Sequence, residues 1–381
     1  MPFTYYDFFA GGGMAGVGLG TEWKCLFAND IDAKKAESYR ANHDGGNELL
    51  LKDVAKVSVE EIPERADLVW ASFPCQDLSL AGKGAGLAGK RSGMFKPFWA
   101  LVESLHANDR APKIIALENV YGAITSNGGR DFATLAAAFS DLGYRFGAVV
   151  VDAVYFVPQS RPRLFMIGIH PDLKIPQSSM CDGPCAHWHP KALIEGHNLL
   201  SKAALSKWKW WNLEAPATRK TSLSSIIEEK PVGVEWHTEA ETQYLLDLMS
   251  ENNLKKVLAA KDLRTKVVGT IYRRTRMESD GVKRQRAEVR FDEIAGCLRT
   301  PAGGSSRQTI MVVEGESVRS RLLSPREAAS LMGLPDTYVL PKKYNDAYKL
   351  AGDGVAAPVV RFLAASIFEP ILQRNRLALV A

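Results

Sequence analysis

Short, continuously apolar runs constrain the fold of this chain more than any other feature of its sequence. Two of them, 67–71 and 113–117, have the length and composition of strands that are buried on both faces of a parallel sheet. Further runs alternate with helical segments, the runs at 5–10, 146–154 and 164–169 and the helices at 31–42, 94–105 and 132–142. This alternation predicts an α/β fold with a doubly wound, mostly parallel sheet.

A cysteine motif and a glutamate motif each follow one of these two apolar runs. Pro74-Cys75-Gln76 comes after 67–71 and precedes a glycine-rich segment at 80–90, whereas Glu118-Asn119-Val120 comes directly after 113–117. Because the carboxyl ends of parallel strands form the ligand edge of an open sheet, we expect both motifs to face one crevice. A lone cysteine is more often an inert buried residue, but the pairing of these two motifs favours a nucleophile.

A glycine loop follows the first predicted strand. Residues 11–16 read Gly-x-Gly-x-x-Gly, and Asp30 and Asp32 stand near the position of a ribose-binding acid. Glycines let the backbone approach a ligand closely, and a carboxylate accepts hydrogen bonds from ribose hydroxyls, so the pattern suits any adenosine cofactor. By itself the loop leaves open an ordinary tight turn or a nicotinamide oxidoreductase.

Composition restricts the compartment and the partners. The chain has 381 residues, enough for two domains, and a net charge of +5. Residues 255–321 carry sixteen Lys and Arg against eight Asp and Glu, so the positive charge belongs to one segment. The first residues lack the pattern of a signal peptide, no run approaches about 18 apolar residues, and five scattered cysteines are unlike a disulfide framework. We therefore expect a cytoplasmic protein without a membrane segment.

Together the motifs resemble those of the DNA (cytosine-5) methyltransferases. Six segments match the family's motifs in the family's order: 7–13 (cofactor), 74–76 (nucleophile), 118–120 (acidic), 159–163 (Gln-x-Arg-x-Arg), 321–327 and 352–358. The resemblance implies transfer of the methyl group of S-adenosyl-L-methionine to C5 of a cytosine that is flipped out of a specific duplex DNA sequence.

The resemblance also implies catalytic roles. Cys75 would add to C6 of the base as a thiolate, and Glu118 would hold the amino group and N3 and help to protonate N3. Arg163 would hold the base's carbonyl oxygen with support from Arg161, and Asn119 would position the backbone before the sulfur. The predicted catalytic set is Cys75, Glu118, Asn119, Gln159, Arg161 and Arg163.

For the cofactor, the resemblance implies that Phe9 packs against the adenine, Asp30 accepts from the ribose hydroxyls and Asp53 accepts from the adenine amino group. The family more often has Glu at the position of Asp30 and Asn at that of Asp353. Asp353 either caps the final helix or tunes the choice of cofactor. The predicted cofactor set is Phe9, Ala10, Gly11, Gly12, Gly13, Asp30, Ile31, Asp53, Val54, Pro74, Asp353 and Val355.

Three domain segments follow from the same resemblance: a catalytic and cofactor-binding domain at 1–170, an inserted target recognition domain at 171–320, and a return to the catalytic domain at 321–381. In isolation the basic clusters of the insert could be a solvated charged face. Cys297 stands where the family usually has Thr beside the flipped nucleotide. The predicted DNA-binding set is Gln76, Ser79, Arg273, Arg274, Arg276, Arg299 and Arg307.

Several alternatives stay open. Residues 181–189 contain two Cys and two His, but their spacing is too compressed for a usual zinc finger, so we expect no metal. The chain could belong to the tRNA-methylating branch of the family or be a catalytically inactive DNA-binding relative. We expect a monomer that acts on double-stranded DNA, either with a cognate restriction endonuclease or as a solitary methylase.

Overall fold

The computed structural model describes residues 1–74, 92–278, 280–299 and 307–378. The chain divides into two compact units. The first unit comprises Met1–Asp152, Pro162–Pro216 and Val355–Ala381, and the second comprises Ala153–Arg161 and Ala217–Gly354. Residues 171–216 thus pack with the first unit and 321–354 with the second. The functional roles of the three predicted domain segments stay predictions.

The strands of the described ranges are, in chain order, β1 Phe3–Phe8, β2 Trp23–Asp30, β3 Leu49–Leu51, β4 Leu68–Ala71, β5 Ile114–Val120, β6 Arg145–Asp152, β7 Pro162–Ile169, β8 Met180–Cys181, β9 Trp210–Trp211, β10 Val267–Met277, β11 Lys283–Arg290, β12 Thr309–Glu314 and β13 Ser317–Leu322. The helices are α1 Met14–Leu19, α2 Ala33–Asn42, α3 Phe95–Ala107, α4 Arg130–Asp141, α5 Lys191–Asn198, α6 Lys202–Lys207, α7 Leu223–Ile226, α8 Glu239–Asp247, α9 Glu251–Asp262, α10 Pro325–Ser330, α11 Tyr344–Asp353, α12 Ala357–Leu363 and α13 Glu369–Leu377. A π-helical turn, Ala364–Phe368, joins α12 to α13.

One sheet organises the first unit. Its strand order is β3-β2-β1-β4-β5-β7-β6, in which neighbours from β3 to β5 are parallel and β7 is antiparallel to both β5 and β6. The prediction of a doubly wound, mostly parallel sheet is confirmed. The chain leaves β1 towards β2 on one side and later enters β4 on the other. A topological switch point therefore lies between β1 and β4, where the carboxyl ends of the strands open a crevice.

The burial of strand side chains explains which strands could be predicted from the sequence. Val69 and Trp70 of β4 and Ile115 and Ala116 of β5 are fully buried, as continuous apolar runs require. An aromatic layer that includes Phe8, Phe98, Trp99 and Phe139 covers one face of the sheet. A separate cluster joins Ala28 of β2 and Leu49 of β3 to Ala36 and Tyr39 of α2, with Cys25 packed against it.

The second unit contains an antiparallel sheet in the order β11-β10-β12-β13. Val257 and Ala260 of α9 pack with Ile271, Val289 and Val313 of the sheet to form its core. This core uses only the half of β10 and β11 that lies near β12. The other half, 273–277 and 283–285, has exposed side chains on both faces.

Among the described residues, one helical run, Tyr344–Leu377, is long and apolar enough to cross a membrane by length and composition. The sequence analysis did not anticipate this. In the structure 61% of its apolar window is buried inside the protein, so packing in the core accounts for much of its apolar character.

Candidate active site

A glutamate and an arginine form an ion pair between neighbouring strands of the first unit. Glu118 lies near the carboxyl end of β5, and β5 pairs with β7 so that Val120 is opposite Arg163. Arg163 Nε lies 3.2 Å from Glu118 Oε1, and both side chains are largely buried. Arg163 also donates from a terminal nitrogen to the carbonyl oxygen of Pro162. The pair is therefore held in a fixed orientation on two paired strands.

Asn119 links this pair to the end of β4. Its side-chain amide donates to the carbonyl oxygen of Phe73 at 3.3 Å, and its side-chain oxygen accepts from the amide of Val120 at 2.9 Å. Asn119 thereby holds the backbone two residues before the predicted nucleophile, Cys75. Cys75 itself, with Gln76 and Ser79, lies outside the described residues, whereas Pro74 lies within them.

The turn after β1 has an unusual backbone. Phe9, Gly11 and Gly13 all have positive φ angles, of 60°, 57° and 76°. For Phe9 this is a left-handed conformation that costs a non-glycine residue energy, and such conformations concentrate at functional sites. The Asp30 carboxylate stabilises the turn: one oxygen accepts from the amide of Gly11 at 2.8 Å and the other from the amide of Asp32 at 2.7 Å.

The remaining cofactor candidates of the first unit follow β2 and β3. Ile31 comes directly after Asp30, and 68% of it is exposed, an unusual state for an isoleucine beside the crevice. Asp53 accepts from the amide of Ala55 at 3.0 Å and caps a short 3₁₀ turn that begins at Val54, which is buried. A polar and an apolar side chain thus flank the edge of the sheet where the crevice opens.

A histidine that the sequence analysis missed, His43, contacts the backbone of the glycine turn. A ring nitrogen of His43 lies 3.1 Å from the carbonyl oxygen of Gly13, and the ring stacks on Tyr39 with centroids 4.4 Å apart. A Cβ at Gly13 would lie 2.0 Å from His43 Nε2, so this close approach requires glycine. Burial lowers the pKa of His43, which keeps the ring neutral at neutral pH. No local pattern in the sequence marks this contact.

Asp7, next to the carboxyl end of β1, was also missed as an ionisable group. Its side chain is buried, and no described residue hydrogen-bonds its Oδ2 atom. Burial, with a smaller contribution from the charge of Asp30, raises the pKa of Asp7 well above its usual range. The carboxyl group is therefore held towards its neutral form beneath the glycine turn.

The Gln-x-Arg-x-Arg segment is divided between the two units. Gln159 belongs to the second unit, where it donates to the carbonyl oxygen of Leu331 at 2.7 Å and accepts from the amide of Leu298 at 3.0 Å. Arg161 is buried in the same unit and donates to the carbonyl oxygens of Gly352 and Gly354 at 2.9 Å and 2.7 Å. Both side chains thus hydrogen-bond the protein backbone, and each also contacts a sulfur atom, Met332 Sδ for Gln159 and Cys297 Sγ for Arg161.

Arg161 also explains the surroundings of Cys297. The guanidinium group of Arg161 donates to Cys297 Sγ at 3.3 Å. The carbonyl oxygen of Cys297 accepts from the hydroxyl of Tyr272 at 3.2 Å. Cys297 is therefore tied into the interior of the second unit.

Asp353 does not have the capping position that was one of its two expected roles. It is the last residue of α11, whereas Ala356 occupies the N-cap position of α12 and makes no side-chain capping bond. The capping expectation is wrong because α12 begins three residues later than that role requires. Val355 is buried in the first unit.

The DNA-binding candidates that the structure describes lie in the second unit. Arg273, Arg274 and Arg276 are exposed on β10, and Arg299 is exposed beyond β11. Arg307 donates to Asn345 at 2.6 Å and lies over the ring of Tyr344. The sequence analysis did not recognise that the first three form part of a long strand.

Within the described ranges, no group of three His, Cys, Asp or Glu side chains is placed to hold a metal ion. In the Cys181–His189 segment, His189 Nδ1 instead accepts from the backbone amide of Cys185 at 2.8 Å.

The fold is that of an α/β protein whose Glu118–Arg163 pair and glycine turn lie at strand ends of one mostly parallel sheet. The chain belongs to the family of C-5 cytosine-specific DNA methylases, whose sequence model matches residues 3–369. It is therefore a DNA (cytosine-5) methyltransferase.

Named bacterial methyltransferases with similar sequences support this membership. The chain is 27% identical to the type II methyltransferase M.HpaII of Haemophilus parainfluenzae, over 97% of this chain and 90% of the relative. It is 26% identical to M.BsuFI of Bacillus subtilis, over 97% of this chain and 73% of the relative. M.HhaI of Haemophilus parahaemolyticus is 25% identical, over 95% of this chain and 93% of the relative.

Solved structures agree in fold. The methyltransferase EhMeth of Entamoeba histolytica aligns with a TM-score of 0.62 at 12% identity, over 97% of this chain and 99% of that one. The Dnmt2 methyltransferase of S. pombe aligns with a TM-score of 0.57 at 15% identity, over the same shares.

Proposed function

We propose that this methyltransferase transfers the methyl group of S-adenosyl-L-methionine to C5 of a cytosine flipped out of a specific duplex DNA sequence. The transfer would proceed through a covalent bond between Cys75 and C6 of the base. The observation that carries this proposal is the buried pair of Glu118 and Arg163, joined through Asn119 to the backbone at Phe73. These contacts fix the carboxylate of Glu118 on β5, next to β4, the strand that leads to Cys75.

The crevice at β1 and β2 fits the cofactor. A Cβ built at Gly11 would meet only the flexible side chain of Lys35, at 3.8 Å, so the backbone there is open to a ligand, and Asp30 has lone pairs beyond the two that bind backbone amides. The exposed Ile31 offers an apolar surface on which an adenine ring would pack, with Asp53 nearby in sequence as an acceptor for its amino group. When bound, S-adenosyl-L-methionine supplies an electrophilic methyl group.

The chain's own residues would activate the base. C5 of cytosine is a weak nucleophile, so Cys75 first adds as a thiolate to C6, which shifts the electrons of the C5–C6 double bond towards C5. Glu118, in its carboxylic acid form, accepts from the amino group and donates to N3, and its proton passes to N3 as negative charge arrives there. Arg163 fixes the resulting carboxylate and holds the carbonyl oxygen of the base. C5 then accepts the methyl group, while the electron pair of the broken bond stays on the sulfur of the cofactor.

Completion of the reaction requires three bonds to break. The proton at C5 must leave, for which we propose a water molecule as base. The electrons of that C–H bond rebuild the C5–C6 double bond, the sulfur of Cys75 departs as a thiolate, and the proton on N3 returns to Glu118.

Gln159 and Arg161 take positioning roles in this proposal. Since both bind carbonyl oxygens or amides of the second unit, they would fix the segment that leads from Ala153 to the strand bearing Arg163. We further propose that the enzyme is a cytoplasmic monomer, serving either beside a restriction endonuclease or as a solitary methylase.

Methyl transfer from tritiated S-adenosyl-L-methionine tests the proposal. Wild-type protein should label double-stranded bacterial DNA and leave tRNA unlabelled. Glu118→Gln should lower kcat by about 10²-fold or more, the usual contribution of a general acid, without changing the Kd for the cofactor. Glu103→Gln, an exposed glutamate on α3, is the matched control and should behave as wild type. Labelling of tRNA alone would contradict the proposal, as would full activity of Glu118→Gln.

A further inference from the structure

Half of the β10–β11 hairpin extends beyond the core of the second unit. Near β12 the two strands bury Val268, Ile271, Ala287 and Val289. Beyond that point every described side chain of 273–277 and 280–285 is exposed, on both faces of the hairpin. Five residues of strand span about 17 Å. We call residues 272–278 and 280–288 the arginine ribbon.

One face of the arginine ribbon is strongly cationic. Arg274 is directly opposite Arg286, and Arg276 is directly opposite Arg284. Because side chains two residues apart share a face, all four guanidinium groups project from the same side. Like charges directly opposite each other destabilise a strand pair, so this arrangement disfavours the isolated hairpin and favours a polyanionic ligand.

Three carboxylates partly neutralise that face. Glu288 binds two arginines, with one oxygen 2.5 Å from Arg276 Nη2 and the other 3.6 Å from Arg274 Nε. In the described residues Glu278 pairs with Arg286 at 2.7 Å and Asp280 pairs with Arg284 at 2.7 Å. Hydrogen bonds from arginine lower the pKa of Glu288 and of Glu278, so both remain charged at neutral pH.

Every side chain of these ion pairs is at least 28% exposed to solvent, so the pairs are easily exchanged. Pairs between solvent-exposed side chains contribute between zero and about 1 kcal/mol. A phosphate oxygen offers an arginine the same charge and a similar bidentate geometry. An arginine can thus leave its carboxylate for DNA at little net cost, but while paired it adds nothing to binding.

We propose that the arginine ribbon enters a groove of duplex DNA and that Glu278, Asp280 and Glu288 act as internal competitors of the DNA phosphates, which weakens binding to non-target DNA. A two-stranded ribbon fits the major groove, which is about 12 Å wide. This inference rests on the proposed action on duplex DNA and assigns specificity-determining residues to it. Only a site whose base contacts compensate for the displaced carboxylates would be bound tightly.

Salt dependence of binding to a duplex without target base tests this inference. The probe is a fluorescent duplex of A·T pairs only, so neither methylation nor base flipping of cytosine contributes. Each additional phosphate contact steepens the slope of log Kobs against log salt by about 0.9. Glu288→Gln should therefore bind more tightly than wild type at low salt, with a slope steeper by about one contact.

Two further variants make the result specific to the ribbon. Glu316→Gln removes the same charge from the same unit, at an exposed residue paired with Lys261 between β12 and β13, and should bind as wild type does. Arg276→Gln combined with Glu288→Gln should restore the wild-type slope, because the released arginine is gone. If Glu288→Gln destabilises the fold, Glu278→Gln repeats the test on the Arg286 pair.

Equal slopes for Glu288→Gln and Glu316→Gln would overturn the inference, as would a steep slope that persists in the double variant. Failure of the proposed function is distinguishable, because it would appear as absent methyl transfer to DNA by the wild-type protein, which this binding measurement does not use.

Discussion

Replacing Gly13 by alanine tests the physical account of the cofactor turn. The residue has a φ of +76°, where an L-residue costs about 1–2 kcal/mol, and a Cβ would lie 2.0 Å from His43 Nε2 and 2.6 Å from its Cδ2. Contacts this short require the ring to move, which removes its bond to the Gly13 carbonyl and its stacking on Tyr39. Such overpacking adds about 1–3 kcal/mol.

Gly45→Ala is the matched control. Gly45 also has a positive φ, of +84°, but nothing lies within 4 Å of a Cβ built there, so only the backbone cost applies. In urea denaturation followed by circular dichroism, Gly13→Ala should lose about 1–3 kcal/mol more stability than Gly45→Ala. It should also bind S-adenosyl-L-methionine more weakly in calorimetry.

A second substitution locates the cause of that loss. His43→Ala in the Gly13→Ala background removes the clashing ring, so the double variant should lie closer to His43→Ala alone than additivity predicts. The reasoning would be refuted if Gly13→Ala and Gly45→Ala were equally stable. Strict additivity of the two changes would refute it as well.

Three further changes have defined outcomes. Glu327→Gln should lower the free energy of unfolding in urea by about 3–5 kcal/mol, because Arg321 and Glu327 are both fully buried and the arginine would lose its charged partner. The exposed control Glu316→Gln should lower it by less than about 1 kcal/mol. For Asp7, the raised folded-state pKa means that its contribution to stability is present below the unfolded pKa of about 4 and is lost as pH rises through the folded pKa. The melting temperature of Asp7→Asn should therefore fall less than that of wild type between acidic and neutral pH. Identical profiles of melting temperature against pH would contradict this. Asp353→Asn should tighten S-adenosyl-L-methionine binding if the aspartate repels the cofactor's carboxylate, whereas an unchanged Kd would exclude that tuning role.

The sequence predicted the sheet where burial on both faces makes strands uniformly apolar, as in β4 and β5. It did not predict β2, because Trp23–Asp30 mixes Lys24 and Asn29 with apolar residues. β10 was missed for a different reason: its outer half leaves the core, so neither face requires apolar side chains. Helix α10 was readable from Ser324 and Glu327, which form a capping box at its start.

The site residues also differ in how far the sequence could predict their contacts. Glu118 and Arg163 follow from motifs at strand ends, and the structure brings them to 3.2 Å. His43 follows α2, whose packing on β2 and β3 brings its ring to the glycine turn, a contact between residues 30 positions apart that no local pattern encodes. The pairing of Glu288 with two arginines depends on strand register, which the basic clusters alone do not specify.

Covalent trapping tests the central claim most directly. A duplex that carries 5-fluorocytosine at the target position blocks loss of the C5 substituent, so the bond between Cys75 and C6 should persist after methyl transfer. Wild-type protein with S-adenosyl-L-methionine should give a denaturant-resistant protein–DNA adduct, and peptide mass spectrometry should place the base on Cys75. Cys75→Ser should give no adduct while still binding the cofactor. An adduct on another residue, or one that forms equally in Cys75→Ser, would contradict the account.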